Sequence, residues 1–152
     1  MRVRINNTEL PVQTTEELEP ITIKAAISDG DGLSGWVGEI DMEIDSGADC
    51  TMIPLPILKK LLGDNLRLEE PATMETADGA QSQVAMTKIS LRIKTANGEV
   101  VTLHQVDCSV PNDGSVLLGR NVLQVFRVVL VQNRLQSMVL SPKAASYLGL
   151  GD

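Results

Sequence analysis

"EIDMEIDSGADCTMIPL", Glu39 to Leu55, holds two patterns joined by a turn. From Trp36 to Ile44 the apolar residues Trp36, Ile40, Met42 and Ile44 stand at even positions, with acidic Glu39, Asp41 and Glu43 at odd ones. A period of two sends these sets to opposite faces of an extended chain, so the stretch reads as a half-buried strand. It runs into Asp45-Ser46-Gly47-Ala48, small residues suited to a tight turn, and becomes apolar again at Met52 and Ile53. By parity Asp45 continues the face of Asp41 and Glu43, which is the ordinary reading of a solvated acid entering a turn. The other reading is a carboxylate that the turn is built to present. The tripeptide decides little by itself, because average residue usage produces Asp-Ser/Thr-Gly by chance in about one chain in ten or twenty of this length.

Working outward, the same period of two recurs. Strands are expected over Ile21 to Ile27, Ala72 to Thr76, Gln81 to Thr95, Val100 to Val110, Phe126 to Val131 and Leu135 to Leu140. Turn residues separate them at Asp29-Gly30-Asp31-Gly32, Ala77-Asp78-Gly79, Ala96-Asn97-Gly98, Pro111-Asn112-Asp113-Gly114 and Gln132-Asn133-Arg134. Helices are few. Pro56 to Leu62, with proline early, Leu58, Leu61 and Leu62 on one side and Gly63 just past the end, reads as one; Ser141-Pro142 to Gly149 repeats the logic, and Asn121 to Val125 adds a turn. The expected architecture is one mainly antiparallel β domain over residues 1–152, with an N-terminal arm at 1–19, a core at 20–140 and a short helical tail at 141–152.

Composition narrows the function. The 152 residues are 43% hydrophobic, enough for one real core and little more. A net charge of -7 with no basic cluster opposes phosphate, so nucleic acid is not an expected partner. The N-terminus (Met1-Arg2-Val3-Arg4) has no apolar signal segment and the best apolar run, Val125 to Val131, is interrupted by Arg127, so no membrane partner is expected. Cys50 and Cys108 are too few for a disulfide framework and read as reduced thiols, which favours a cytoplasmic setting.

A second motif lies downstream in "SVLLGRNVLQVF", residues 115 to 126. Val116-Leu117-Leu118-Gly119 is a short apolar strand ending in glycine, after which Arg120-Asn121 opens a helical turn. Taken alone this is a strand-to-helix junction with an exposed arginine. Asp-Ser-Gly-Ala-Asp followed some 70 residues later by Leu-Leu-Gly-Arg-Asn-Val-Leu resembles the retropepsin-like aspartic proteases, the retroviral-type enzymes and their cellular and bacterial relatives. The resemblance spans roughly Ile21 to Leu140. It implies a closed, barrel-like β subunit with a flap hairpin and one or two short helices, and an aspartic endopeptidase acting on peptide or protein substrates.

Residue by residue, the resemblance makes Asp45 the catalytic aspartate, Ser46 a hydroxyl that bonds across a dimer, and Gly47 and Ala48 the floor of the substrate cleft. Asp49 would contact substrate and pair with Arg120 of Gly119-Arg120-Asn121, a structural unit at the dimer. Cys50, Met52, Ile53 and Leu117 are the expected pocket walls, and Thr73 to Gln81, with Ala77, Asp78 and Gly79 at its tip, the flap. This tip is polar where viral flaps are glycine-rich and apolar, and the helix from Pro56 is longer than the viral segment, as in the cellular and bacterial relatives. Since one chain has one Asp-Ser-Gly, catalysis would need a homodimer, and no metal or cofactor. The reading from another class is a catalytically silent dimerisation or peptide-binding module on the same fold.

Other constellations are weaker. Asp29-Gly30-Asp31-Gly32 with Glu39 faintly resembles a calcium loop, but Ser34 stands where that loop needs glycine and no helices flank it. His104, the only histidine, falls on an expected strand with no serine in a nucleophile elbow and no metal cluster, and is read as structural. Cys50 has no evident local base, so it is read as a small pocket-lining residue rather than a nucleophile.

Overall fold

The computed structural model describes residues 21–75, 78–94, 100–131 and 134–140. In chain order they form β1 (Thr22–Asp29), β2 (Val37–Ile44), β3 (Thr51–Met52), α1 (Leu55–Leu62), a 3-10 turn at Gly63–Asn65, β4 (Leu68–Glu75), β5 (Gln81–Lys94), β6 (Val100–Val110), β7 (Leu117–Leu118), α2 (Arg120–Leu123), β8 (Phe126–Val131) and β9 (Arg134–Leu140).

The alternation that marks the strands is what builds the core. On β1 Ile23, Ala25 and Ile27 turn inward, and on β2 Met42 is fully buried, while Lys24 and Asp41 meet on the outer face at 3.1 Å. β1 pairs antiparallel with β2 and, on its other side, with β5, where Ala25 faces Ile93 and Asp29 faces Ile89. Six strands therefore close in the cyclic order β1-β2-β7-β3-β6-β5. Closure consumes the edges that an open sheet would expose. β4 lies outside the ring, paired with β5 as a hairpin arm. Inside the ring, Ile27, Met42, Ile53, Leu58, Ile89, Leu91 and Leu118 are fully buried; each such side chain contributes about 1.5 to 3 kcal/mol relative to exposure.

α1 plugs the barrel through Leu58 and Leu62, with Pro56 in its first turn. Gly63 ends it at φ +53 with its N–H on the carbonyl of Lys59, a positive-φ conformation that glycine adopts without a Cβ penalty.

Several boundaries differ from the sequence reading. Two pairings, β2 with β7 and β3 with β6, are parallel, so the sheet is mixed. β4 starts at Leu68, four residues before the expected Ala72, and β3 is a strand that alternation could not announce in two residues. The second helix is the shorter Arg120–Leu123. The N-terminal arm, Ala77, the turn at 96–98 and the C-terminal helix fall outside the described residues.

The loop after β1 is a hydrogen-bonded turn. Asp29 Oδ1 accepts from the N–H groups of Leu33 at 2.9 Å and Ser34 at 3.5 Å. Desolvation pulls the Asp29 carboxyl up, but the bonds from Leu33, Ser34, Gly32 and Ser28 outweigh it and hold the group below its ordinary range. His104 lies over this loop, with Nδ1 2.8 Å from the hydroxyl of buried Ser90, which itself donates to the Gly30 carbonyl at 2.9 Å. The hydroxyl proton is thus used on Gly30, so Nδ1 carries the hydrogen toward Ser90, a structural tie between β5, β6 and the loop.

Candidate functional site

The loop from Asp45 to Cys50 leaves the end of β2 and enters β3 with β7 and the start of α2 pressed against it. Its first residue is anchored by backbone: Asp45 N–H donates to the carbonyl of Leu118 at 3.1 Å. The Asp45 side chain shapes the turn, Oδ1 accepting from Gly47 N–H at 2.9 Å, while Ala48 N–H reaches the Asp45 carbonyl at 3.2 Å. This is the local turn that aspartate forms when its carboxylate stands in for a backbone acceptor.

The second motif holds the other side. Arg120 N–H donates to the Ala48 carbonyl at 2.8 Å and Asn121 N–H to that of Asp49 at 3.3 Å. The crossing is so close that a Cβ on Gly119 would stand 2.4 Å from the carbonyl carbon of Cys50. Glycine is there because two backbones touch. Asn121 then completes the joint: its Oδ1 accepts from the N–H and the hydroxyl of Thr51, both at 2.9 Å, and its Nδ2 donates to the Asp107 carbonyl at 2.8 Å. The Thr51 hydroxyl in turn accepts from Gly119 N–H at 3.2 Å. Thr51 is fully buried, so this network satisfies groups that have no water to turn to.

The structure brings Asp49 and Arg120 into an ion pair, on side chains 80% and 59% exposed. Cys50 is half-buried with Sγ donating to the Asp107 carbonyl at 3.3 Å. Burial pushes its thiol up, a bond from Ser109 opposes this, and the Asp107 charge adds to the rise. Cys108 is pushed up further, chiefly by burial. Neither is an activated thiolate.

Beside the loop runs a cleft of about 380 Å³. Gly47, Ala48 and Asp49 form one wall, Cys50, Met52 and Leu117 continue it, and Thr73, Met74 and Glu75 of β4 face it. Asp45, half-buried at the root of the loop, is not among the lining residues, and neither are Asp78 and Gly79. Ile53 departs from its expected place in the pocket wall: it is fully buried in the core, because Thr51 and Ile53 point inward and leave Met52 between them toward the cleft. Gly79 has φ +84 with open space around it, a turn conformation that suits glycine.

Sequence reasoning missed Thr51, Ser109 and the Asp107 carbonyl. Their parts depend on which strands become neighbours, and only the polar Thr51 at the head of an apolar run was available as a signal.

A family model described as aspartyl protease matches residues 23–122, from β1 to α2 and including both motifs. The chain belongs to the aspartyl protease family. Among solved structures, a retropepsin-like aspartic protease from Rickettsia conorii is similar, with a TM-score of 0.43 and 16% identity over 79% of this chain and 89% of that one. No curated protein matches the chain. Membership in the aspartyl protease family supports protease function in general terms, and no helix among the described residues is long and apolar enough to cross a membrane.

Proposed function

We propose that the protein is an aspartic endopeptidase, one domain over 1–152 that acts as a homodimer with Asp45 of each subunit at the two-fold axis. The observation that carries this reading is the loop from Asp45 to Cys50, fixed at its root by Leu118 and along its far side by Arg120 and Asn121, while it forms a wall of the cleft. Such a loop presents a carboxylate in one geometry, which a solvated strand-end acid does not require.

Two carboxylates about 3 Å apart cannot both ionise readily and share a proton. The ionised one takes a proton from water as the oxygen attacks the peptide carbonyl carbon; the other protonates the carbonyl oxygen, and the amine leaves with a proton when the tetrahedral species collapses. Below the lower pKa of the pair the base is lost and above the higher one the acid is lost, so a bell-shaped profile with an acid-side optimum is expected. The β4–β5 hairpin is the flap over the extended substrate, and the two free thiols fit a reducing, cytoplasmic setting.

The test is incubation with a peptide library at acidic and neutral pH beside the Asp45→Asn variant. Cleavage by the parent alone, within a bell-shaped window, is expected. Binding of peptides without cleavage by either protein would favour a silent peptide-binding module.

A further inference from the structure

The cleft has a chemical bias that its sulfur and apolar lining does not explain. Met52, Met74 and Leu117 offer a deformable apolar surface, and the two ionisable carboxyl groups on the lining are Asp49 and Glu75. Asp49 is already paired with Arg120. Glu75 is exposed at the end of β4, and no described basic side chain lies within ion-pair distance of it. β4 itself, Leu-Glu-Glu-Pro-Ala-Thr-Met-Glu, carries three acids and no base. A cleft with an apolar surface and one uncompensated carboxylate at its rim matches a side chain that has an aliphatic stem and a cationic head.

We infer that Glu75 is a specificity-determining residue, selecting peptides that carry lysine or arginine beside the scissile bond, the stem lying on Met52, Met74 and Leu117 and the head at Glu75. This rests on the protease reading for its consequence, but the recognition itself needs only the cleft. The overall charge of -7 also draws basic peptides, and that long-range pull must be separated from the local one.

The experiment uses three peptides identical except for lysine, norleucine or glutamate at one position near the scissile bond, compared by kcat/KM. Their binding to the Asp45→Asn protein is measured in parallel. Lysine should be preferred over norleucine by about two- to fivefold, the range of a solvent-accessible ion pair, and glutamate should be worst. Glu75→Gln should abolish the lysine preference and Glu75→Lys should invert the order. Glu39→Gln, which removes the same charge from the outer part of β2, should leave the order intact. An order unchanged by both Glu75 substitutions, or changed equally by Glu39→Gln, overturns the inference while cleavage upholds the protease. A Glu75-dependent order seen only in binding supports the inference and sinks the protease reading instead.

Discussion

At the scale of single residues, the joint between the two motifs is set by Gly119. Its φ is -88, which any residue can adopt, so the requirement is space rather than backbone freedom. A methyl group at that position meets backbone at Cys50 and Thr51, within 2.4 to 2.7 Å, and backbone cannot rotate away as a side-chain tip can. Gly119→Ala should therefore force apart the bonds from Arg120 and Asn121 to the loop, at about 1 to 3 kcal/mol by analogy with overpacked cores. The expected result is a lower urea midpoint with unchanged m-value and a larger fractional loss of activity than of stability. Normal stability and turnover in Gly119→Ala would show that the loop tolerates displacement and that the crossing is incidental. The sequence announced a glycine here, but its reason was not legible: nothing in Leu-Leu-Gly-Arg-Asn says which distant backbone lies on top of it.

The elements were legible in proportion to their length. β5 and β6, long and alternating, need no knowledge of their neighbours, since burial on one face is written into the pattern. The first half of β4 does not show in the sequence because Glu69, Glu70 and Pro71 look unlike a strand; they are tolerated because β4 lies outside the closed ring and its register slips between Glu69 and Ala72, where a residue without an N–H does no harm. β3 exists because β6 and β7 flank it, a tertiary cause that two residues cannot encode. The candidate site follows the same rule: Asp45, Asp49 and Arg120 were readable as motif, while Thr51 and Glu75 became visible through strand order. The β4–β5 hairpin also carries a prediction. Gly79 stands at φ +84, and a methyl group on its Cα would meet nothing within 4 Å, so Gly79→Val would strain backbone without creating a clash. A β-branched residue there should slow turnover through hairpin closure by a larger fraction than it lowers stability, read as the thermal midpoint. Unaltered kinetics would locate the moving cover elsewhere.

For the whole molecule the proposed chemistry sets a stoichiometry: it uses two carboxylates, a chain with one Asp-Ser-Gly supplies one, and the proposal therefore calls on a second copy. Two subunits of charge -7 repel, so association has to be driven by contact and should strengthen as salt screens that repulsion. Specific activity should then fall on dilution in step with dissociation measured by sedimentation, since mass action sets the amount of complete site. Asp49 and Arg120 report on the same event. In the single subunit their side chains are largely exposed, and an exposed pair contributes under about 1 kcal/mol. Should association shield them, removing one partner would leave a buried charge at about 3 to 5 kcal/mol. The two cases separate in a double-mutant cycle of Asp49→Ala and Arg120→Ala read twice, once as subunit stability and once as dimer dissociation. Near-additive, small effects on subunit stability together with strong coupling in the dissociation constant are expected, with Arg120→Lys also losing dimer because an ammonium cannot reproduce the planar fork. Additivity in both readouts, with full activity persisting in a dilute monomer, would mean that the pair only decorates a strand-to-helix junction and that the site is completed in some way other than by a second Asp45.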